Sequence, residues 1–327
     1  MRESVVKAIR IDQHGGAEVL RLADVETPMP GAHEVRVRHS AIGVNFIDTY
    51  HRNGLYKIPL PSGLGLEAAG VVDAIGEGVT RFKLGDRVAY CSGPIGAYAE
   101  AHVVNEARAV ALPDAIAFDI AAASLLKGMT ARYLLRKTFR VERGHWVLIH
   151  AAAGGVGQIL VQWAKHLGAH VIATAGSEEK AAIARGLGAD HALIVRAENF
   201  AQRVRAIVKE GVQVAYDGVG KDTWEGSLDS LRPLGMMVSY GNASGPPPDI
   251  NPLTLSQKGS LFLTRPTLFN YTATTAQLDE PAADLFEVME NGAVKVATPA
   301  RYELAAAAQA HRDLEARKTT GSLVLSP

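Results

Sequence analysis

One cysteine, Cys91, stands in 327 residues. A lone thiol closes no internal disulfide and cannot build a multi-cysteine zinc site, so a reducing, cytoplasmic setting is expected. Aromatics are also sparse, 6% of the chain against 32 glycines, which predicts many tight turns and little stacking surface. Neither sign of charge is in excess, since Lys plus Arg and Asp plus Glu both total 34. That balance removes any overall electrostatic drive toward nucleic acid or anionic lipid. Long apolar runs are missing too. The most apolar window, 146–164, is interrupted by His150, Gln158 and Gln162, so no membrane span is expected. Glu3 places an acid where an export signal needs an apolar stretch, and a cytoplasmic protein is the expectation.

What is present fits a large globular enzyme. Hydrophobic residues make up 47%, and at roughly 150 residues per domain the length suits two domains. The rhythm of the sequence changes near residue 128. Before it, short β-branched runs at 5–11, 34–41, 70–75 and 86–89 alternate with Gly and Pro clusters, which reads as a mostly β, barrel-like domain. From Trp146 the pattern predicts strands at 146–151, 170–175, 191–195, 213–217, 235–240 and 260–265. Helices are predicted between them at 156–167, 178–187, 199–209 and 222–231. Strict alternation of this kind argues an α/β fold with a doubly wound parallel sheet. Gly245-Pro246-Pro247-Pro248 is too short for a linker and reads as a surface loop. After residue 267 helices are expected at 282–290 and 304–316, then an apolar strand at 322–325 that packs back on the first domain. The expected division is therefore 1–127 with 268–327, discontinuous, and 128–267.

The strongest local signal is the apolar run Trp146-Val147-Leu148-Ile149-His150 followed by Ala151-Ala152-Ala153-Gly154-Gly155-Val156-Gly157. The spacing is Gly-x-Gly-x-x-Gly with Ala152 in the first position. Gly154 lets backbone approach a pyrophosphate, Gly157 lets the helix lie close to the strand, and the helix N-terminus offers N–H groups to the phosphates. After the second strand of such a unit, a site for NADH carries an acid on the ribose 2′-hydroxyl. Here the sequence reads Ala175-Gly176-Ser177, with Lys180 one turn on. Without the acid a 2′-phosphate meets no repulsion, and a hydroxyl and an ammonium stand ready for it. NADPH is the expected cofactor, although Glu178 and Glu179 weaken the local positive field.

A series of further motifs surrounds this turn. They are Ala41-Ile42-Gly43-Val44-Asn45-Phe46-Ile47-Asp48-Thr49-Tyr50, Gly65-Leu66-Glu67-Ala68-Ala69-Gly70, Gly85-Asp86-Arg87-Val88, Lys127-Gly128-Met129-Thr130, Tyr240-Gly241-Asn242 and Thr264-Arg265-Pro266. With them the chain resembles, end to end, the zeta-crystallin-like quinone oxidoreductases of the medium-chain dehydrogenase/reductase superfamily. The resemblance implies a GroES-like β-rich catalytic domain, a Rossmann domain, NADPH-dependent reduction of a small-molecule quinone, and a homodimer. It also implies site residues. Asn45, Phe46, Ile47 and Tyr50 correspond to the segment near the nicotinamide, Tyr56 to a tyrosine lining the same mouth, and Thr130 to a threonine beside the ring. Ala152, Ala153, Gly154, Gly155 and Val156 correspond to the pyrophosphate cradle, and Gly176, Ser177 and Lys180 to the adenosine phosphate site. Tyr240, Gly241 and Leu263 correspond to the strand ends at the nicotinamide ribose. Bacterial relatives hold the 2′-phosphate with a tyrosine after the third strand, where this chain has Val195 beside Arg196.

No metal is expected. Zinc alcohol dehydrogenases of the superfamily use Cys, His and Cys ligands, and Asn45, Leu66 and Leu126 occupy the corresponding positions here. A quinone suits a metal-free site, because it gains aromaticity on reduction and needs little Lewis-acid help. Tyr50 is the candidate to polarise or protonate the acceptor, Asn45 to orient it and Tyr56 to form a wall of the pocket. Asp48 reads as a cap or turn residue able to set a local hydrogen-bond network. Arg265 reads either as an anion or substrate contact or as a structural partner. Two alternatives remain: reduction of enals and enones by the same hydride chemistry, and a noncatalytic NADPH-binding or RNA-binding protein, against which the neutral charge argues.

Overall fold

The computed structural model describes residues 5–195 and 199–327. Glu3 and Arg196 lie outside the described residues. In chain order the elements begin β1 (Val5–Ile11), β2 (Arg21–Glu26), β3 (Glu34–Val44), α1 (Phe46–Asn53), β4 (Ser62–Gly63), β5 (Glu67–Ile75), β6 (Arg87–Tyr90), β7 (Ala101–Asn105), β8 (Ala109–Ala111) and α2 (Phe118–Tyr133). They continue as β9 (Trp146–Ile149), α3 (Gly155–His166), β10 (His170–Ala175), α4 (Glu178–Gly186), β11 (His191–Ile194), α5 (Phe200–Ile207), β12 (Val212–Asp217), α6 (Trp224–Ser230), β13 (Leu231–Ser239), α7 (Pro252–Gln257) and β14 (Phe262–Thr264). The last are α8 (Leu268–Tyr271), α9 (Thr275–Glu290), β15 (Ala300–Glu303), α10 (Ala307–Glu315) and β16 (Leu323–Ser326).

Two compact units form. One comprises Met1–Lys127, Thr272–Phe286 and Val296–Pro327, the other Gly128–Tyr271 and Glu287–Lys295. In the first unit a largely antiparallel sheet has the order β15-β16-β3-β5-β6-β8, with β7 also on β3, beside the small sheet β2-β1-β4. β16 pairs with β3 through Leu323↔Val44 and Leu325↔Ile42. Its core is aliphatic, Ile9, Val37, Ile42, Val72 and Leu325 among others, with Tyr90 and Tyr98 buried inside.

In the second unit the order is β11-β10-β9-β12-β13-β14, and every pairing is parallel. Because crossover helices cover both faces, the central strands are apolar throughout rather than alternating. Val147, Leu148 and Ile149 are all fully buried. Trp224 packs in this core and Trp163 is buried on α3.

Four helices of the described residues, α1, α2, α7 and α8, have no counterpart in the elements expected from the sequence. α1 has only eight residues, and α2 is apolar all round, with Ala121, Ala122, Ala123, Leu125, Met129 and Ala131 fully buried. A helix buried on every side carries no polar stripe to reveal its period. α2 runs on into a wide turn of π type at Leu134–Thr138, and Tyr216 donates its hydroxyl to the Leu134 carbonyl there at 3.1 Å.

Candidate active site

In the first unit the site grows from the end of β3. Asn45 leaves the strand in extended conformation and caps α1, and Gly54 ends that helix at φ 83° in the left-handed region. The Asp48 carboxylate reaches back, its Oδ2 accepting the Asn45 backbone N–H at 2.8 Å, so an acid at the third helical position fixes the entry of the chain. This brings Phe46, Ile47 and Tyr50 onto one short helix. Tyr50 is buried, with its ring edge-on to Tyr56 at 5.3 Å and 6.3 Å from Phe46. The Tyr56 N–H donates to the Tyr50 carbonyl. Phe46, Tyr50 and Tyr56 thus form one aromatic cluster, with Asn45 and Ile47 next to Phe46 along the chain.

Beneath Asn45 lies a polar group that the sequence reading did not single out as functional. Glu67 is fully buried at the start of β5. Its Oε1 accepts the Leu126 N–H at 2.7 Å, and its Oε2 accepts Asn45 Nδ2 at 2.8 Å and Lys127 Nζ at 3.4 Å. Gly43 makes this possible, because a Cβ there would stand 2.3 Å from Glu67 Oε2 and 2.2 Å from the Ala122 carbonyl oxygen. A signal did exist: single charges within the apolar runs 64–72 and 120–131 are rarely buried unless paired. Cys91 is buried, and burial pushes its thiol well up, with Glu67 adding to the rise.

Asp48 is also fully buried. Tyr98 donates its hydroxyl to Oδ2 at 2.8 Å, the Tyr98 oxygen lies 3.0 Å from His311 Nε2, and Arg52 Nη1 donates to His311 Nδ1 at 3.1 Å. Arg52 in turn forms a forked ion pair with Glu315. Burial pushes Asp48 up to about 7, against the pull of the Asn45 and Tyr98 hydrogen bonds and of Lys127. Burial, with the Arg52 charge, lowers His311 to about 3.

In the second unit residues 152–156, Gly176, Ser177, Tyr240 and Gly241 follow the C-terminal ends of parallel strands, where ligands of such sheets bind. The turn after β9 holds Ala152 and Ala153, and α3 begins at Gly155 with Gly154 as a cap that makes no side-chain hydrogen bond. A Cβ on Gly157 would stand 2.4 Å from the Ala151 carbonyl oxygen. Gly176 has nothing within 4 Å of its missing Cβ. Ser177 caps α4, its oxygen accepting the Lys180 N–H at 3.3 Å and its own hydroxyl proton still available to donate. Val195 packs against the apolar core of the unit.

Tyr240 and Gly241 follow β13. The Tyr240 N–H donates to the Asp217 carbonyl, and a Cβ on Gly241 would stand 2.5 Å from the Gly218 oxygen. Arg265 donates to Ser239 Oγ and to the Gly241 carbonyl, both at 3.0 Å, so it braces this loop from within its own unit. Leu263 is half-buried on β14, and Thr130 is buried on α2. A buried network ties the strand ends together: Asp217 accepts two backbone N–H groups and the Thr223 and Ser227 hydroxyls, while His150 lies between Ser227 Oγ and Thr174 Oγ1. His150 titrates below its ordinary value because it is buried.

Comparison with known proteins places this geometry. Residues 31–114 match the alcohol dehydrogenase GroES-like domain, and residues 155–287 the zinc-binding dehydrogenase family. A quinone oxidoreductase of Pseudomonas aeruginosa is 53% identical over 99% of this chain and 100% of its own. The chain belongs to the quinone oxidoreductase family. The crystal structure of Escherichia coli quinone oxidoreductase complexed with NADPH superposes with a TM-score of 0.97 at 47% identity, covering 98% of this chain and 100% of that one. A 2-haloacrylate reductase of Burkholderia is 44% identical over 99% of both chains. The fold of this quinone oxidoreductase family member is therefore a GroES-like β-rich unit with a Rossmann-type parallel-sheet unit.

The zinc in the name of the second match does not fit the residues. Leu66 and Leu126 bear no ligand atom, and Glu67 already accepts three hydrogen bonds, from a backbone N–H, an amide and an ammonium. Among the described residues no group of three or more His, Cys, Asp or Glu could hold a metal ion. The dinucleotide fits better: a helix start capped by no side chain, preceded by a turn of alanine and glycine only, suits a pyrophosphate.

Proposed function

We propose that this protein reduces quinones at the expense of NADPH, without a metal ion. The observation that carries the reading is an uncapped glycine turn followed, after the next strand, by Gly176-Ser177 with no acid; the resemblance to zinc relatives sets Asn45 at a metal-ligand position, where its amide is bonded to Glu67 instead. NADPH, when bound, supplies the hydride. Ala152, Ala153, Gly154, Gly155 and Val156 hold the pyrophosphate; Gly176, Ser177 and Lys180 take the 2′-phosphate; Tyr240, Gly241, Leu263 and Thr130 line the nicotinamide end. The first unit serves as the catalytic domain and the second as the cofactor domain. On α1, Asn45, Phe46, Ile47 and Tyr50 form the nicotinamide-facing segment. The Tyr50 hydroxyl polarises the acceptor oxygen, Asn45 orients it through an amide already anchored on Glu67, and Tyr56 walls the pocket.

Reduction of activated double bonds is the second reading, supported by the likeness to a 2-haloacrylate reductase. A single experiment separates the readings. NADPH or NADH is mixed with the protein and 1,4-benzoquinone, an ortho-naphthoquinone or a simple enone, and cofactor absorbance is followed. Fast NADPH loss with quinones alone supports the first reading; loss with the enone favours the second; tight binding without oxidation overturns both. Tyr50→Phe is expected to reduce enone turnover more than quinone turnover, because a carbon acid needs the donated proton. Equal losses would remove Tyr50 from that role. The assembly we read is a homodimer, supported by the edge strand β14 with Phe262 57% exposed. The single cysteine supports a cytoplasmic setting; among the described residues no helix is long and apolar enough to cross a membrane.

A further inference from the structure

The hydrogen bonds of the buried network at the strand ends of the second unit run in one direction. Asp217 Oδ2 takes the Thr223 hydroxyl at 2.7 Å and the Ser227 hydroxyl at 2.8 Å, a carboxylate being a stronger acceptor than the Thr223 carbonyl that also lies 2.8 Å from Ser227 Oγ. With its proton spent there, Ser227 Oγ accepts the His150 Nε2–H at 2.9 Å. His150 Nδ1 is then the lone-pair nitrogen, and the Thr174 hydroxyl donates to it at 2.8 Å. Phe200 stands edge-on to the imidazole at 5.1 Å, and His150, Thr174, Asp217 and Ser227 are all buried.

This chain of bonds ends beside a strained residue of the glycine turn. Ala151 stands between His150 and Ala152 at φ 49°, in the left-handed region that favours glycine. Its carbonyl oxygen accepts the Gly154 N–H at 2.9 Å and is the atom that a Cβ on Gly157 would meet, so the conformation of Ala151 sets how α3 begins. Strain of this kind persists only where the neighbours over-determine it. Thr174 supplies a hold on each side. Its hydroxyl bonds the His150 ring before the strained residue, and its carbonyl accepts the Ala152 N–H after it, at 3.0 Å. From Thr174 the chain runs on through Ala175 into Gly176 and Ser177.

We propose that Thr174 is a positioning residue: through His150 and Ala152 it holds Ala151 in its strained turn, and so sets the spacing between the pyrophosphate turn and the loop of Gly176, Ser177 and Lys180. This rests on the assignment of the 2′-phosphate to that loop. The pyrophosphate and the 2′-phosphate are carried on one ribose, which fixes their separation, so both loops must meet NADPH at once. NADH has no 2′-phosphate for the second loop to hold. A turn released at Ala151 therefore weakens NADPH more than NADH, and it does so in binding rather than in the chemical step.

The test titrates the cofactor-free protein with NADPH and with NADH, following cofactor fluorescence, alongside melting curves and turnover with benzoquinone. Thr174→Val keeps the volume and loses the hydroxyl, whereas Thr174→Ser keeps the hydroxyl and loses a methyl group. The ratio of the NADH Kd to the NADPH Kd is expected to fall about three- to tenfold in Thr174→Val, the worth of one net hydrogen bond. In Thr174→Ser it is expected to stay at the wild-type value, although both variants melt earlier. In both, kcat at saturating NADPH is expected to stay within about twofold of the wild type. Adding Ala151→Gly to Thr174→Val removes the strain and should return the ratio toward the wild-type value. A ratio unchanged in Thr174→Val overturns the proposal, as does one that falls equally in both variants or one that Ala151→Gly does not restore. A wild type that binds NADH as tightly as NADPH would instead overturn the 2′-phosphate assignment, and the proposal with it.

Discussion

At the scale of single residues, the sequence announced its glycine turn more clearly than its buried charges. The turn was legible because glycine spacing between a strand and a helix has few other uses. Glu67 and Lys127 stood inside quoted motifs, yet 60 residues separate them, and nothing local says that β5 and α2 bring them to one another. Their pairing has a measurable cost of disruption. Lys127→Met leaves Glu67 buried without its counter-ion and is expected to lower stability by about 3–5 kcal/mol, read as a fall in the urea midpoint. Adding Glu67→Gln should restore part of that loss, since the amide no longer carries a charge to strand. If the single variant is as stable as the wild type, the pair contributes nothing. Val195 illustrates the opposite case: the residue was legible as unable to bind phosphate, and the structure gives it a packing role instead.

At the scale of elements, the alternating strands and helices of the second unit were read within a few residues of their observed ends. Apolar strands, polar turns and capping residues such as Ser177 and Asn199 mark each boundary there. The first unit was harder, because short strands such as β7 and β8 and the fully buried α2 lack a period that could be recognised. The glycine turn permits a sharp comparison. Gly157→Ala would drive a Cβ to 2.4 Å from the Ala151 oxygen and 2.7 Å from Ala152 Cα, both backbone atoms that cannot rotate away. It is expected to destabilise the protein by about 1–3 kcal/mol, the range for overpacking. Gly176→Ala meets nothing within 4 Å, so its melting curve should overlay the wild type. Weaker NADPH binding in that variant would then report the approach of the ligand itself, measured by cofactor fluorescence. An unchanged affinity would remove Gly176 from the site.

At the scale of the whole molecule, buried histidines shape the response to acid. Burial lowers His39 and His311 to about 3 from an ordinary 6.5. The unfolded chain therefore binds two protons that the folded chain refuses, and stability falls as pH drops from about 6.5 toward 3. Asp48, raised to about 7, acts in the opposite sense: the folded form holds its proton between about pH 4 and 7, which favours folding on acidification. Two protons oppose one, so a net loss of about 1.4 kcal/mol per pH unit is expected between pH 6 and 4 from these three groups. His39→Gln should flatten that slope, followed as urea midpoint against pH; a slope that steepens would refute the assignment.

The pairing of β16 with β3 carries a consequence for how the chain comes into being. Ile42, Gly43 and Val44, the last strand residues before Asn45, find their partners in Leu323, Val324 and Leu325. On the ribosome that stretch emerges early and its partner emerges only after the entire parallel-sheet unit has been translated. A nascent chain can thus finish its parallel-sheet unit first, while the end of β3 that leads into α1 still lacks its β16 partner. The sheet of the first unit is therefore completed only by the last strand to be made.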